Sequence, residues 1–114
     1  MEDSVNVTEG GDAIVVLITA ASREEADRIA RRLVEDRLAA CVTIVPQVRS
    51  IFIWEQKLSQ EDEVLLLVKS RRARFALLVE AVKRLHSYSV PEIIALPVVM
   101  GSTDYIRWVS EATS

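Results

Sequence analysis

The chain has 114 residues, of which 50% are hydrophobic and 27% are charged, and its formal net charge is −3. This composition is typical of a globular protein with one hydrophobic core, and it excludes an intrinsically disordered chain. Charges of both signs are mixed along the sequence and aromatic residues make up only 5%. We therefore expect one domain without a nucleic-acid interface.

Cysteine usage and the N-terminal segment bear on the compartment. Cys41 is the one cysteine, so no intramolecular disulfide can form, which is typical of a reducing cytoplasm. Residues 1–12 are acidic and polar and lack the features of a signal peptide. No apolar run approaches the roughly 20 residues of a membrane helix. We predict a cytoplasmic protein without membrane contact, with a flexible tail over residues 1–12 and a single domain over residues 13–114.

The first predicted elements are a strand and a helix. The β-branched run of residues 13–19 ("AIVVLIT") predicts a strand that is covered on both faces. Ser22, followed three residues later by Glu25, has the spacing of a capping box and predicts a helix start. The apolar positions of that helix follow one buried face and are Ala26, Ile29, Ala30, Leu33 and Val34.

A long hairpin follows. Residues 40–46 ("ACVTIVP") predict a second strand, which Pro46 should bend, bulge or place at a sheet edge. The strand continues through residues 48–58, with Val48, Phe52 and Trp54 on one side and Ile51 and Ile53 on the other. Residues 59–62 ("SQED") predict the turn into a third strand over residues 63–70. Both faces of the hairpin thus carry large apolar side chains.

The last third of the chain predicts two helices and a strand. Ser70 is the expected cap of a second helix, which should end shortly before Pro91. Residues 92–99 ("EIIALPVV") predict a fourth strand, and Pro97 indicates an edge or a bulge there. Gly101 and Ser102 allow a turn and a cap before a short C-terminal helix. The apolar positions of the second helix are Phe75, Leu78, Val79, Val82 and Leu85.

The order of these elements predicts the fold class. Strand, helix, strand, strand, helix and strand, with an extra C-terminal helix, suit an α+β, ferredoxin-like sandwich with both helices on one face of an antiparallel sheet. Nothing in one chain covers the other face, and the hairpin is apolar on both sides. We therefore expect a homo-oligomer to bury these surfaces.

Two stretches resemble a known family. Residues 33–58 ("LVEDRLAACVTIVPQVRSIFIWEQKL") and 86–98 ("HSYSVPEIIALPV") are similar to the CutA family of divalent-cation tolerance proteins, and the likeness runs from residue 14 to residue 110. It implies a ferredoxin-like subunit in a tight homotrimer whose hairpins pair between neighbours, in an architecture like that of the PII signalling proteins. It also implies a non-enzymatic role in the response to divalent metal ions, with copper as the expected type of ion.

His86 is the candidate metal ligand. Some CutA proteins carry a cysteine at the end of the first strand and a pair of histidines in the later stretch, but those positions read Ile18 and Leu85 here. One imidazole therefore remains, and it would bind copper with help from another group such as Glu92. The alternative is that His86 ends the second helix, where a cationic ring interacts favourably with the helix dipole.

The resemblance places six further residues around a cleft between subunits: Trp54, Glu55, Lys57, Lys69, Tyr88 and Glu92. In that setting they imply a pocket for a small anionic or metal-bearing ligand, with Trp54 and Tyr88 as its walls. Lys57 and Lys69 would attract charge and Glu92 would orient the ligand. The alternative is that Trp54 anchors the subunit interface and the charged groups pair with one another.

Catalysis has no visible support in the sequence. No set of acid, base and nucleophile emerges, and the apolar neighbours of Cys41 predict that it packs as a small hydrophobic residue. The basic run at residues 70–74 ("SRRAR") lacks a glycine-rich loop and predicts a solvated face. Three functions remain: a divalent-metal response, a PII-like regulator that binds a small metabolite, and a structural trimeric scaffold.

Overall fold

The structure is a computed structural model that describes residues 6–114 and has a mixed α+β architecture. A short 3-10 turn at Arg72–Arg74 leads into the second helix. The remaining elements, in chain order, are β1 (Val7–Glu9), β2 (Ala13–Ala20), α1 (Arg23–Glu35), β3 (Cys41–Trp54), β4 (Lys57–Arg71), α2 (Phe75–Leu85), β5 (Ile93–Pro97), β6 (Met100–Ser102) and α3 (Thr103–Ala112).

The main sheet has four antiparallel strands in the order β3-β4-β2-β5. Strand alternation puts Val16, Leu66 and Val68 on the face that α1 and α2 cover, and all three are fully buried. On the opposite face Val15 and Leu17 are only partly buried. The expectation that β2 is covered on both faces is therefore wrong for the single chain, because the two long helices pack on one side only.

The start of α1 is confirmed. The Ser22 hydroxyl accepts a hydrogen bond from the Glu25 N–H at 3.1 Å, and the Glu25 carboxylate accepts one from the Ala21 N–H at 2.9 Å. Ile29 and Leu33 are fully buried, but Val34, which was expected on the same face, is 42% exposed. Its position at the edge of the apolar stripe turns it away from the sheet.

The hairpin differs from its prediction at the turn. Glu55 and Gln56 both have positive φ, 50° and 68°, and they form the turn themselves. The predicted turn at residues 59–62 is wrong, since these residues lie inside β4. Two consecutive residues in the left-handed region are usually Asn-Gly or Asp-Gly, and neither pair occurs at positions 55 and 56.

Pro46 acts as predicted, because the register between β3 and β4 shifts between Val45 and Val48 and β3 is an edge strand. The pairing of β2 with β4 ends at Val64. Residues 48–63 therefore continue as a two-stranded projection beyond the sheet, which we call the arm. The protein measures 58 Å along its longest axis and 26 and 21 Å along the others.

The second helix starts later than predicted. Ser70 lies in β4 and its buried hydroxyl donates a hydrogen bond to the Leu38 carbonyl at 2.6 Å, so it does not cap the helix. The predicted end of α2 is confirmed, since the helix stops at Leu85 and His86 is its C-cap. Pro97 likewise ends β5, an edge strand.

Helix α3 is fixed to the body of the protein through its C-terminus. Arg71 donates to the hydroxyl and the carbonyl oxygen of Thr113, both at 2.9 Å, and Arg74 donates to the same carbonyl at 2.7 Å. Thr113 is fully buried. The basic run is thus only partly a solvated face, because two of its arginines satisfy the open end of a helix. Ser102 caps α3 as predicted, through the Tyr105 N–H.

The N-terminal segment forms a strand where a tail was predicted. Val7–Glu9 pairs antiparallel with Met100–Ser102 in a separate two-stranded sheet. This pairing replaces the predicted tail over these residues, because a three-residue strand is defined by its partner and has no periodicity of its own. Residues 1–5 lie outside the described residues, and the division of the chain at residue 13 stays a prediction.

No helix within residues 6–114 combines the length and the apolar character that crossing a membrane requires.

Candidate functional site

A cleft of about 680 Å³ opens at the base of the arm. Its floor comes from the arm and from the end of β2, and its other side from the loop of residues 86–92 between α2 and β5. The side chains that line it are Thr19, Ser50, Ile51, Phe52, Trp54, Glu61, Glu63, Tyr88, Ser89, Val90 and Glu92. Its volume lies in the range of small-molecule sites.

Register explains why the arm contributes these side chains. Directly opposed residues of an antiparallel pair point to the same face. Ser50 is opposite Glu61 and Trp54 is opposite Lys57, so Glu61 and Glu63 share the face of Trp54. The turn at Glu55 and Gln56 sets this alignment.

Tyr88 and Glu63 form the polar contact between the loop and the arm. The Tyr88 hydroxyl donates a hydrogen bond to Glu63 Oε2 at 2.8 Å, and Glu63 is only 6% exposed. Burial raises the pKa of the Tyr88 hydroxyl, and so do its hydrogen bond to Glu63 and the nearby charges of Glu63, Glu61 and Glu25. Tyr88 therefore remains a protonated donor at neutral pH.

The side chain of His86 is fully buried and both of its ring nitrogens have partners. Nε2 lies 2.7 Å from the Thr19 carbonyl oxygen, and Nδ1 accepts a hydrogen bond from the Tyr88 N–H at 3.1 Å. The carbonyl can only accept, so the proton must sit on Nε2 and the ring that satisfies both contacts is neutral. A metal ion at His86 would have to replace one of these two contacts.

Glu25 ties the same loop to α1. Besides Ala21, its carboxylate accepts a hydrogen bond from the Ser87 N–H at 2.7 Å, and it lies 3.9 Å from His86 Nδ1. Burial would raise the pKa of the Glu25 carboxyl, but the hydrogen bonds from Ala21 and Ser87, together with the charge of His86 when its ring is protonated, outweigh burial, so the net pKa is lowered. Glu25 thus connects the first residues of the loop to the start of α1.

The structure brings together three of the residues predicted for the pocket. Trp54, Tyr88 and Glu92 all line the cleft. Glu55 instead lies in the turn at the tip of the arm. The alternation of the arm therefore accounts for Trp54, and the loop after α2 accounts for the other two.

The two predicted lysines do not line the cleft, although Lys57 is directly opposite Trp54 on the arm. Lys57 follows the turn, and Lys69 sits at the far end of β4, where its Nζ donates to the Thr43 hydroxyl at 2.6 Å. Twelve residues of one strand separate them, which corresponds to roughly 40 Å. The two lysines of one chain thus cannot share one ligand.

Sequence reasoning missed the acidic floor of the cleft. Glu61 was assigned to a turn and Glu63 to the start of a strand, so neither was placed beside Trp54. Phe52 was correctly predicted on the same face of the strand as Trp54. Counting every second residue forward from Lys57 would have placed Glu61 and Glu63 on that face as well. The missing signal was the turn itself, because Glu-Gln is not a common sequence for two left-handed residues.

Metal ligands do not converge in the part of the chain that the structure describes. Residues 6–114 contain no group of three or more His, Cys, Asp or Glu side chains that could hold a metal ion. Cys41 is free and half-buried. The pKa of Tyr105 is raised by burial first and then by Cys41.

Comparison with known proteins places these residues in a family. The sequence model of the family described as CutA1 divalent ion tolerance protein matches residues 14–112. The divalent-cation tolerance protein CutA of Thermus thermophilus is 52% identical over 99 residues, which are 87% of this chain and 96% of that protein. The chloroplastic protein CutA of Arabidopsis thaliana is 42% identical over 101 residues, which are 89% of this chain but 56% of the longer plant protein.

Solved structures agree with the sequence comparison. The structure of the divalent cation tolerance protein from Thermus thermophilus superposes with a TM-score of 0.88 at 50% identity, and the match covers 90% of this chain and 99% of that one. A structure of CutA from Synechococcus elongatus superposes with a TM-score of 0.90 at 28% identity, over 96% of both chains. The cleft, the arm and the loop of residues 86–92 all lie inside the matched region of the sequence.

Proposed function

The chain belongs to the CutA1 divalent ion tolerance protein family, and we propose that it acts, without catalysing a reaction, in the response to divalent metal ions of the copper type. The match of the family model to residues 14–112 is the observation that carries this proposal. The names of relatives at 42–52% identity describe divalent-cation tolerance or CutA proteins and name no reaction.

Thermal-shift measurements test this function. A ligand that binds only the folded state raises the unfolding midpoint by mass action. At a free concentration one hundred times its Kd, the ligand adds about 2.7 kcal/mol to the free energy of unfolding. We expect copper or zinc ions to raise the midpoint of the full-length protein, and magnesium at the same ionic strength to serve as the control. Equal midpoints with and without copper and zinc would contradict the proposal.

His86 is the residue that we propose as a copper ligand, and its geometry defines the test. Copper would take Nδ1 or Nε2 from its present hydrogen bond, so binding should loosen the loop of residues 86–92. We expect His86→Asn, whose side-chain oxygen can still accept from the Tyr88 N–H, to fold and to bind copper at least tenfold more weakly. Unchanged copper affinity in a folded His86→Asn protein would mean that His86 is a structural helix end.

The proposed subunit is ferredoxin-like and the proposed assembly is a homotrimer. The strand order β3-β4-β2-β5 and the βαββαβ sequence of elements support the first. The exposure of large apolar side chains on the arm, 64% for Ile51, 72% for Ile53 and 78% for Leu58, supports the second.

Assembly also bears on the ligand pocket. Trp54, Tyr88 and Glu92 form the wall that one chain supplies, and Lys57 lies beside Trp54 in the same chain, whereas Glu55 and Lys69 would reach a shared pocket from neighbouring subunits. The distance of Lys69 from Lys57 along β4, roughly 40 Å, supports this division. The test is a crystal structure of the assembled protein, in which a lysine of one subunit within contact distance of Trp54 of another is the expected result.

A PII-like regulator that binds a small metabolite is the second candidate, and the cleft of about 680 Å³ favours it. Nucleotides or organic acids that raise the unfolding midpoint, with no effect of copper or zinc, would select this function over the metal response. We place either function in the cytoplasm, which the single free Cys41 supports. Cell fractionation with detection of the untagged protein tests the location.

A further inference from the structure

The arm leaves the main sheet at an interruption of the β3–β4 ladder. The pairing of β2 with β4 ends at Val64, and the register between β3 and β4 shifts between Val45 and Val48. The first pair of the arm, Val48 with Glu63, follows directly after that shift. A bulge bends its strand and interrupts the ladder hydrogen bonds, so the ladder alone fixes the direction of the arm only weakly.

One side-chain hydrogen bond supports the arm at this point. In the described part of the chain, the bond of 2.8 Å from the Tyr88 hydroxyl to Glu63 Oε2 is the one side-chain hydrogen bond that joins the arm to another segment. The bond between Arg49 and Asp62 lies within the arm. Glu63 is buried, so water competes little for its carboxylate, and a bond to a charged acceptor is among the stronger ones. Tyr88 therefore holds the base of the arm against the loop that follows α2.

The position of Tyr88 depends in turn on the His86 ring. The Tyr88 N–H donates to His86 Nδ1 at 3.1 Å, and the centroids of the two rings are 4.8 Å apart. The His86 ring is itself anchored to β2, because Nε2 lies 2.7 Å from the Thr19 carbonyl oxygen. The side chain is fully buried and its surroundings are closely packed, so the ring cannot be displaced without a change in these contacts.

A second anchor keeps the loop folded when the first one opens. The Glu25 carboxylate accepts a hydrogen bond from the Ser87 N–H at 2.7 Å, and this bond involves neither His86 nor Tyr88. Ser87 can thus stay in place while the residues beyond it move. Loss of the contact between His86 and Tyr88 is therefore expected to shift Tyr88 without unfolding the loop.

We propose that His86, Tyr88 and Glu63 form a latch that couples the His86 ring to the arm. While both contacts of the ring are in place, Tyr88 reaches Glu63 and the arm is held. When a ligand takes a ring nitrogen, the ring moves, the Tyr88 hydroxyl withdraws from Glu63 and the arm is released. Copper as that ligand rests on the function proposed above, whereas the latch rests on contacts within the chain. Release changes how the apolar side chains of the arm are presented, so binding at a buried ring reaches the surface.

Hydrogen exchange of the full-length protein tests the latch without any metal, with the amides of residues 48–63 as the readout and those of α1 as the internal reference. Tyr88→Phe removes only the hydroxyl that bonds Glu63, and we expect the arm amides to exchange about tenfold faster or more. Tyr105→Phe is the matched control, because it removes the same group from α3, and exchange in the arm should stay within about twofold of wild type. Unchanged exchange in Tyr88→Phe would overturn the proposal.

Two variants of His86 separate coupling from a general loss of stability. His86→Leu has no acceptor for the Tyr88 N–H and should speed exchange in the arm, whereas the side-chain oxygen of His86→Asn can accept this bond and should restore slow exchange. Combined with Tyr88→Phe, His86→Leu should add nothing further in the arm, because the latch is already open. Additive effects of the two substitutions would overturn the proposal. If His86→Leu does not fold, Tyr88→Phe and its control decide the question.

Copper then tests how the latch is opened. Calorimetry establishes whether copper binds, and exchange is measured at a saturating concentration. We expect copper to speed exchange in the arm of the wild type and to leave the arm of Tyr88→Phe unchanged, since its latch is already open. Copper binding to the wild type without any change in the arm would overturn the proposal. Absence of copper binding would contradict the metal response alone, because the variants of Tyr88 and His86 decide the latch.

Discussion

At the scale of single residues, the loop of residues 86–92 is held by a small set of buried polar contacts. The Glu25 carboxylate accepts hydrogen bonds from the N–H groups of Ala21 and Ser87. The His86 ring hydrogen-bonds to the Thr19 carbonyl and to the Tyr88 N–H. Each contact gives a hydrogen-bond partner to a backbone group near the end of β2 or in the loop. Glu25 and His86 therefore both help to fix the loop that carries Tyr88 into the cleft.

Glu25 should make stability depend on pH. Its pKa is lowered in the folded protein, so its stabilising contribution is complete above the unfolded value of about 4.5 and is lost as the pH falls through the lower folded value. We expect Glu25→Gln to lower the free energy of unfolding by about 1 to 2 kcal/mol at pH 7. Urea denaturation at pH 7 and pH 3 measures this difference, which should shrink in acid.

Glu24→Gln is the control for this prediction, because Glu24 is the neighbouring carboxylate in the first turn of α1 and is exposed. It should change the free energy of unfolding by no more than about 0.5 kcal/mol at either pH. An equal difference between wild type and Glu25→Gln at both pH values would refute the assigned role of the Glu25 carboxylate.

At the scale of elements, the short connections between strands determine which side chains lie on each face of the arm. The turn at Glu55 and Gln56 aligns Trp54 with Lys57 and so brings Glu61 and Glu63 to the face of Trp54. A turn shifted by one residue would send all of these side chains to the other face. The acidic and aromatic composition of the cleft is therefore a consequence of two backbone conformations at the tip of the arm.

The turn can be stabilised by a sequence that suits its conformation. Replacing Glu55 and Gln56 by Asn and Gly should relieve two left-handed non-glycine residues and raise the free energy of unfolding by about 1 kcal/mol. Hydrogen exchange of the arm amides should slow at the same time. Gln60→Gly, in the part of β4 that belongs to the arm, is the control and should destabilise by about 0.5 to 1 kcal/mol. Faster exchange in the Asn-Gly variant would refute the turn assignment.

Two adjacent glycines before β2 should respond differently to alanine. A Cβ on Gly10 would lie 1.7 Å from the Val98 carbonyl oxygen, so Gly10→Ala must displace the segment between β5 and β6. Gly11 has φ of 58° and open space around its Cα, so Gly11→Ala should cost only about 1 to 2 kcal/mol of backbone strain. Denaturant midpoints of the two variants give the comparison, and an equal or smaller loss for Gly10→Ala would contradict the observed close approach.

At the scale of the whole molecule, apolar surface is concentrated on the arm and on the sheet face that α1 and α2 leave open. On the arm, Ile53 and Leu58 are directly opposed and both are more than two-thirds exposed. On the sheet, Ile94 and Leu96 of the edge strand β5 are about half exposed. A single chain with this much open apolar surface and two free sheet edges is expected to associate.

Charges on the arm should break that association. We expect the wild type to sediment as a trimer at micromolar concentration and the double variant Ile53→Lys with Leu58→Lys to sediment as a monomer, because burying two unpaired ammonium groups is strongly unfavourable. Leu77→Lys, at a half-exposed position of α2, is the control and should leave the assembly intact. Monomeric wild-type protein in sedimentation velocity would exclude the proposed trimer.

The sequence by itself determined the mixed α+β fold, the family, the capped start of α1, the bulge at Pro46 and the end of α2 before Pro91. These features depend on local physics: hydrophobic periodicity, side-chain caps and the missing N–H of proline act over a few residues. Trp54, Tyr88 and Glu92 were predicted to lie together from short stretches of sequence that resemble the family, and all three line one cleft, while their role in binding stays a prediction.

Only the tertiary structure decided the rest. The β1–β6 pair, the late start of α2 and the acidic floor of the cleft all depend on partners far away in the chain, such as Met100 for Glu9 and Tyr88 for Glu63. The interpretation of His86 also depended on the tertiary structure, since its two hydrogen-bond partners lie in different parts of the chain. Pairing across long sequence separations leaves little local trace, because each partner alone is compatible with several environments.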